Sequence, residues 1–218
     1  MNSPEGNGRI TAVVFDVYGT LVEIRDRRRP YARLLQWLAE SGRVPRQSDA
    51  RRLMSTACDL AGTARLFGVE LSATALASLE NDLAAELASV ALYPDVIETL
   101  TVLRQAGIRL GVCSNLAAPY ATPVLELLPF TLEAYAWSFE LGTVKPDPAI
   151  YRAVCQQLDC VPHETLFVGD TLAADYEGPR AIGMPSLHLA RKGPSQAEHS
   201  IATLAEVPMI VRHGKLIS

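Results

Sequence analysis

The pattern of hydrophobic and polar positions divides the chain into strand-forming and helix-forming regions. Runs rich in β-branched and aromatic residues predict buried strands at residues 10–16, 108–113, 165–168 and 185–189, with a short strand expected at 137–139. From about residue 22 to residue 91, apolar residues instead recur at helical spacing, which predicts helices at 30–40, 49–67 and 72–90. No strand is expected within this helical stretch.

In the second half of the chain the predicted strands alternate with helices. The helices are expected at 95–105, at 147–158 and after Asp170 up to residue 182. This alternation is typical of a parallel sheet with right-handed crossovers, so we predict an α/β fold with a Rossmann-like core flanked by helices. The core domain would comprise residues 1–21 and 92–218, and residues 22–91 would form a small all-helical domain inserted into it.

Composition narrows the range of functions. The chain has 218 residues, of which 49% are hydrophobic, so it can bury a substantial core. A net charge of −4 gives no reason to expect nucleic acid or an anionic membrane as a partner. The four cysteines have no Cys-x-x-Cys spacing, which argues against a zinc site or a redox pair. Because the first ten residues lack the apolar segment of a signal peptide, we expect a cytoplasmic protein.

Polar side chains stand where the predicted strands end. Asp16, Ser114 and Asp170 each end or follow a strand, and Lys145 lies in a loop between two others. The carboxyl ends of parallel strands share one edge of a sheet, so we expect these residues to converge there. Asp16 and Asp170 offer the carboxylate ligands that Mg²⁺ prefers, and a carboxylate can also attack a substrate. The hydroxyls of Thr20 and Ser114, with the charge of Lys145, would suit a small anionic substrate.

Lysine is rare in this chain, which makes its occurrence at position 145 informative. Only Lys145, Lys192 and Lys215 are lysine among 20 basic residues, and the others are arginine. An ammonium at this position therefore indicates a need for a compact point charge rather than for any cation.

Four segments, in order, resemble the motifs of the haloacid dehalogenase superfamily of hydrolases. They are residues 13–21 with Asp16 and Thr20, residues 112–115 with Ser114 and Asn115, residues 144–151 with Lys145, and residues 167–175 with Asp170 and Asp175. The helical stretch lies where subfamily I of this superfamily inserts its cap domain. The resemblance covers the chain from about residue 10 to residue 189.

The resemblance implies a role for each matching residue. Asp16 would be the nucleophile, and Lys145 would stabilise both it and the charge of the transition state. Thr20, Ser114 and Asn115 would bind and orient the substrate anion. Mg²⁺ would be held by four residues: Asp16, the backbone carbonyl of Tyr18, Asp170 and, in or near the second shell, Asp175.

Two motifs disagree about the reaction. Phosphatases of the superfamily carry a second aspartate two residues after the nucleophile as acid and base, and this chain has Tyr18 there. Tyrosine at this position resembles the 2-haloacid dehalogenases, as does Tyr151 after Lys145, and a departing halide needs no proton. Those dehalogenases are metal-independent, however, and lack the Gly169-Asp170 pair of the metal-binding fourth motif. No lysine precedes Lys145, which excludes the Schiff-base chemistry of phosphonoacetaldehyde hydrolases for the inserted domain.

Three functions are therefore consistent with the sequence. The first is a Mg²⁺-dependent phosphatase acting on a small phosphorylated metabolite, which Asp170 favours. The second is a 2-haloacid dehalogenase that is alkylated at Asp16. The third is a binding or regulatory protein on a decayed hydrolase fold, against which the joint retention of Asp16, Lys145 and Asp170 argues.

Overall fold

A six-stranded parallel sheet forms the centre of the computed structural model, which describes residues 9–40 and 42–213. Its strands run in the order β5-β4-β1-β6-β7-β8, and every neighbouring pair is parallel. The strands are β1 (Ala12–Phe15), β2 (Val22–Ile24), β3 (Val90–Leu92), β4 (Arg109–Ser114), β5 (Ala134–Trp137), β6 (Thr165–Gly169), β7 (Ser186–Leu189) and β8 (Ser200–Ile201); β2 and β3 lie outside the central sheet. The predicted α/β class is confirmed.

Helices cover both faces of this sheet. They are α1 (Pro30–Glu40), α2 (Ser48–Met54), α3 (Leu60–Leu66), α4 (Ala73–Ala88), α5 (Val96–Gln105), α6 (Ala121–Leu127), α7 (Ser138–Leu141), α8 (Pro148–Gln157), α9 (Gly178–Arg180) and α10 (Val207–His213). A π-helical segment, Leu172–Glu177, follows β6, and short 3₁₀ turns lie at Ala118–Tyr120, Pro162–Glu164 and Leu204–Glu206.

The core is divided by the alternation of side chains along the central strands. Val13 and Phe15 of β1 point into a cluster with α5 and α6, whereas Ala12 and Val14 point into a second cluster with α8. Both faces of β1 are fully buried, which explains why its sequence is a continuous apolar run. Asp147 caps the first turn of α8 by accepting a hydrogen bond from the Ala149 amide at 3.0 Å.

Helices α1 to α4 pack around an apolar cluster of their own. Leu34 and Leu38 of α1 and Leu60 of α3 are almost fully buried in it. The single helix expected at 49–67 is two helices, because Asp59 caps α3 by accepting from the Gly62 amide at 2.6 Å. We call residues 22–91 the cap segment.

The prediction that the cap segment contains no strand was wrong. Its two ends pair as an antiparallel ribbon, in which Val22 lies opposite Leu92 and Ile24 opposite Val90. Three-residue strands are too short to show a periodic pattern, and their partners lie far apart along the chain. The domain boundaries stay a prediction, and residues 1–8 and 214–218 of the expected core domain lie outside the described residues.

The strand expected at 137–139 occurs earlier, at β5, and Ser138 already begins α7. Two of the four residues of β5 are alanine, which has low strand propensity, so the sequence pattern there was weak. Across the described parts of the chain, the structure contains no helix with the length and apolar character needed to cross a bilayer.

Candidate active site

The carboxyl ends of β1, β4 and β6 meet at one edge of the sheet. Phe15 of β1 pairs with Val112 of β4 on one side and with Val168 of β6 on the other. Asp16 follows β1, Ser114 is the last residue of β4, and Asp170 follows β6. The parallel register therefore brings these strand ends together, as the sequence predicts.

Lys145 enters the site from the loop between α7 and α8 and joins two carboxylates. Its Nζ donates to Asp16 Oδ1 at 2.7 Å and to Asp175 Oδ1 at 2.6 Å. The Ser114 hydroxyl donates to the same Asp16 oxygen at 3.0 Å. All four residues are buried, so two donors fix the orientation of the Asp16 carboxylate inside a site with little water.

Burial and charge shift the pKa values of this cluster. Burial lowers the pKa of the Lys145 ammonium, but the charges of Asp16 and Asp175 outweigh it and hold that pKa above its usual value. Burial raises the pKa of the Asp175 carboxyl, and Lys145 opposes this shift. The lysine therefore stays a cation between the two carboxyl groups.

Asp170 stands at the edge of the site against the turn that follows β1. A Cβ on Gly19, whose φ is +98°, would overlap with Asp170 Oδ2, so only glycine permits this approach. Burial and the charge of Asp16 raise the pKa of the Asp170 carboxyl. Asp16, Asp170 and Asp175 each offer a carboxylate oxygen within 4.8 Å of the others. This oxygen-rich, negatively charged set fits a hard divalent cation, which would relieve the repulsion between the carboxylates.

Asp175 differs from Asp170 because both of its oxygens are already engaged. Oδ1 accepts from Lys145, and Oδ2 accepts from the Thr171 amide at 2.9 Å. A Cβ on Gly169 would lie 2.5 Å from the Asp175 Cγ, so this glycine allows the carboxylate to pack beneath β6. Asp175 thus orients the Lys145 ammonium, and its predicted contact with a metal stays a prediction.

Two further residues from the sequence motifs form hydrogen bonds with backbone groups. The Asn115 amide donates to the Lys145 carbonyl at 2.9 Å and accepts from the Lys145 amide at 2.7 Å. The Tyr151 hydroxyl donates to the carbonyl of Ala174 at 2.5 Å, next to Asp175. Asn115 therefore fixes the segment that carries Lys145, and its predicted contact with substrate stays a prediction.

The turn between Asp16 and Thr20 carries two hydroxyl groups, those of Tyr18 and Thr20, which differ in their hydrogen bonding. The Thr20 hydroxyl is buried and has no hydrogen-bond partner among the described residues. The Tyr18 hydroxyl donates to the carbonyl of Tyr120 at 2.8 Å, and the two rings meet edge to face with centroids 5.6 Å apart. Thr20 is therefore available to a bound anion, whereas the Tyr18 side chain is held by its neighbour.

Sequence reasoning missed two residues that support the site. Arg191, just after β7, donates to the Thr20 carbonyl at 2.7 Å and to both oxygens of Asp95 at 3.0 Å. His188 on β7 lies with Nε2 3.0 Å from the Asp170 carbonyl oxygen. Arg191 follows the end of a predicted strand, as Asp16 and Asp170 do, so its position in the sequence could have identified it. Nothing in the sequence pattern distinguished His188.

Comparison with known proteins identifies the family. The family model of haloacid dehalogenase-like hydrolases matches residues 10–183. The chain belongs to this family. The match includes all four segments that form the site, so the haloacid dehalogenase-like hydrolases share the framework that brings Asp16, Lys145 and Asp170 together.

Relatives within the haloacid dehalogenase-like family differ in chemistry. (S)-2-haloacid dehalogenase 1 of Pseudomonas sp. strain CBS-3 is 28% identical over 93% of this chain and 96% of its own length. The glyceraldehyde 3-phosphate phosphatase of Methanopyrus kandleri is 36% identical, but over 45% of this chain and 43% of its own length. The chain thus spans nearly all of the dehalogenase and less than half of that phosphatase.

Solved structures of the family share the fold. A 2-haloacid dehalogenase from Pseudomonas syringae pv. tomato DC3000 has a TM-score of 0.66 at 22% identity, covering 94% of this chain and 99% of its own. A phosphatase from Thermococcus onnurineus has a TM-score of 0.64 at 23% identity, covering 93% and 98%. At these identities the likeness concerns architecture, and the reaction has to be argued from the site.

Proposed function

We propose that this hydrolase is a Mg²⁺-dependent phosphatase that acts on a small phosphorylated metabolite through an aspartyl-phosphate intermediate. The observation that carries the proposal is the convergence of Asp16 and Asp170 at the sheet edge where Lys145 contacts Asp16. Among the described residues, no cationic side chain lies within ion-pair distance of Asp170. Attack on the halogen-bearing carbon of a 2-haloacid needs no metal ion, so a dehalogenase would have no task for this second carboxylate. A phosphoryl group does need compensation of its charge.

Each side chain has a defined task in this reaction. Asp16 attacks phosphorus, and hydrogen bonds from Ser114 and Lys145 keep its carboxylate oriented. Thr20, whose hydroxyl has no partner within the described part of the chain, donates it to a phosphoryl oxygen. Asp16, Asp170 and the backbone carbonyl of Tyr18 would hold Mg²⁺, which when bound supplies positive charge to the phosphoryl group. Lys145 would add a second positive charge, and its contact with Asp175 keeps the ammonium in place.

A 2-haloacid dehalogenase is the second candidate, and a specific observation favours it. Tyr18 replaces the acid–base aspartate of the family's phosphatases, and the dehalogenase relative aligns over nearly the whole chain. In that reaction Asp16 would attack the carbon that bears the halogen, and water would then hydrolyse the resulting ester.

Two assays on one preparation separate these functions. We expect Mg²⁺-dependent release of phosphate from p-nitrophenyl phosphate, lost with EDTA, and no chloride release from 2-chloropropionate. Asp170→Asn should lower phosphate release by about 100-fold or more, because it removes a metal ligand. Asp159→Asn, at an exposed aspartate in the loop between α8 and the amino end of β6, is the matched control and should not change the rate. Chloride release in EDTA without phosphatase activity would identify a dehalogenase, and neither activity would favour a binding protein.

A further inference from the structure

Cleavage of an alkyl phosphate requires a proton for the departing oxygen, and the side chain best placed in sequence to supply it is engaged elsewhere. The Tyr18 hydroxyl gives its hydrogen to the Tyr120 carbonyl. This proton therefore points to protein backbone and is not available to a leaving group.

The side chains that donate to Asp16 are also committed. The Lys145 ammonium donates to Asp16 and Asp175, and the Ser114 hydroxyl donates to Asp16. The Asp175 carboxyl group is itself enclosed by Lys145 and the Thr171 amide. The Thr20 hydroxyl has no partner among the described residues, but an alcohol does not act as an acid at neutral pH.

Glu86 of the cap segment is buried beside Tyr120, and both of its carboxylate oxygens already accept hydrogen bonds. One Glu86 oxygen accepts from the Tyr120 hydroxyl at 2.9 Å. The other accepts from the amides of Arg28 at 2.6 Å and Arg29 at 2.5 Å. Glu86 is held as a structural acceptor, so it is not available to protonate a leaving group.

We propose that the preferred substrates are acyl phosphates, the mixed anhydrides of a carboxylic acid and phosphoric acid. This inference rests on the proposed phosphatase function. A carboxylate leaving group has a pKa of about 4, so it departs as a stable anion without a proton. An alkoxide does not, and a positioned acid is typically worth about 10²–10⁴-fold in rate. Because none of the described side chains considered above is placed to act as such an acid, the site should discriminate against alkyl phosphates by that factor.

The reaction balances without an acid in either step. Asp16 attacks phosphorus and forms the aspartyl phosphate. The bond from phosphorus to the acyl oxygen of the substrate breaks, and the electron pair leaves with the substrate's carboxylate. Water then attacks the aspartyl phosphate, Asp16 departs as a carboxylate, and both protons of the water end on the released dihydrogen phosphate. Both leaving groups are carboxylates, so one site without a proton donor suits both steps.

The test compares leaving groups on the wild-type enzyme with Mg²⁺ present. The substrates are acetyl phosphate, a series of substituted phenyl phosphates, and glycerol phosphate, each corrected for its uncatalysed rate and for the Asp16→Asn protein. We expect kcat/KM to rise steeply as the pKa of the leaving group falls. Acetyl phosphate should exceed glycerol phosphate by at least about 100-fold. Equal rates for acyl and alkyl phosphates would overturn the inference while leaving the phosphatase function intact.

Substitution of Tyr18 tests the cause of this selectivity. Tyr18→Asp introduces a carboxyl group and should raise the rate on glycerol phosphate at least about 10-fold and flatten the dependence on leaving-group pKa. Tyr18→Phe removes the hydroxyl and should keep the steep dependence, whereas a flatter one would mean that the phenol acts on the leaving group. If Tyr18→Asp does not fold, as judged by circular dichroism, the wild-type series still decides. Phosphate release from none of these substrates would instead refute the phosphatase function.

Discussion

At the scale of single residues, Lys145 is the group on which the charge balance of the site depends. Its ammonium is almost completely removed from solvent and contacts the carboxylates of Asp16 and Asp175. Removing ions from water is costly, and the mutual attraction of the three groups offsets that cost only while all of them are present. Taking away the cation leaves two buried carboxyl groups without a counter-charge.

We therefore expect Lys145→Met to lower the free energy of unfolding by about 3–5 kcal/mol and to abolish measurable turnover. Urea denaturation followed by circular dichroism measures the first effect. Lys192→Met is a matched control, because Lys192 is exposed, and its effect on stability should be within about 0.5 kcal/mol. Similar stabilities for the two variants would contradict the assigned role of Lys145.

At the scale of elements, Arg191 ties the turn after β1 to two distant parts of the core. Its guanidinium binds Asp95 with two hydrogen bonds, donates to the Thr20 carbonyl and stacks on the Tyr93 ring at 3.9 Å. Asp95 also accepts from the Thr203 hydroxyl at 2.7 Å and the Leu204 amide at 2.9 Å. The turn that carries Thr20 is thus fixed from the side of β7.

Arg191→Met should lower the free energy of unfolding by about 2 kcal/mol or more, because it removes several charge-assisted hydrogen bonds. Arg191→Lys should recover part of this loss, since an ammonium cannot reproduce the paired contact with Asp95. Arg152→Met, on the exposed side of α8, is the control and should change stability little. Full stability in Arg191→Lys would mean that the paired geometry is unimportant.

The same variant has a defined pH dependence. Burial alone would raise the pKa of Asp95, but hydrogen bonds from Arg191, Thr203 and the Leu204 amide outweigh it and lower that pKa. A lowered carboxyl pKa stabilises the fold above the ordinary aspartate value of about 4, and this stabilisation is lost as the pH falls further. The difference between wild type and Arg191→Met should therefore shrink in acid.

At the scale of the whole molecule, Tyr120 joins the cap segment to the turn that follows β1. Its carbonyl accepts from Tyr18, and its hydroxyl donates to Glu86 of α4. Glu86 in turn holds the amides of Arg28 and Arg29, where the chain enters the cap segment. Ser138 makes a second link by donating to the Met54 carbonyl at 2.6 Å.

Tyr120→Phe should destabilise the protein by about 1–3 kcal/mol, because one oxygen of the buried Glu86 loses its donor. Tyr31→Phe is a closely matched control: Tyr31 packs near the Tyr120 ring, and its buried hydroxyl has no partner among the described residues. Its loss should be neutral or slightly stabilising. Thermal unfolding of both variants measures the difference, and equal effects would show that the Glu86 contact contributes nothing.

The sequence by itself determined the fold class, the family and the sheet edge at which the polar strand ends converge. The strands are short periodic runs, and parallel alternation with helices forces their carboxyl ends to one edge, so the approach of Asp16, Ser114 and Asp170 followed from local pattern alone. The N-cap at Asp147 was equally local, because capping depends on neighbouring residues.

Only the tertiary structure decided how these groups are used. It ended β5 before Ser138, paired β2 with β3, gave both Asp175 oxygens to protein donors, and turned the Tyr18 hydroxyl toward Tyr120. The contact of Arg191 with Thr20 joins residues 171 positions apart. Such contacts depend on how separate segments pack, and no periodicity or spacing along the chain encodes that packing.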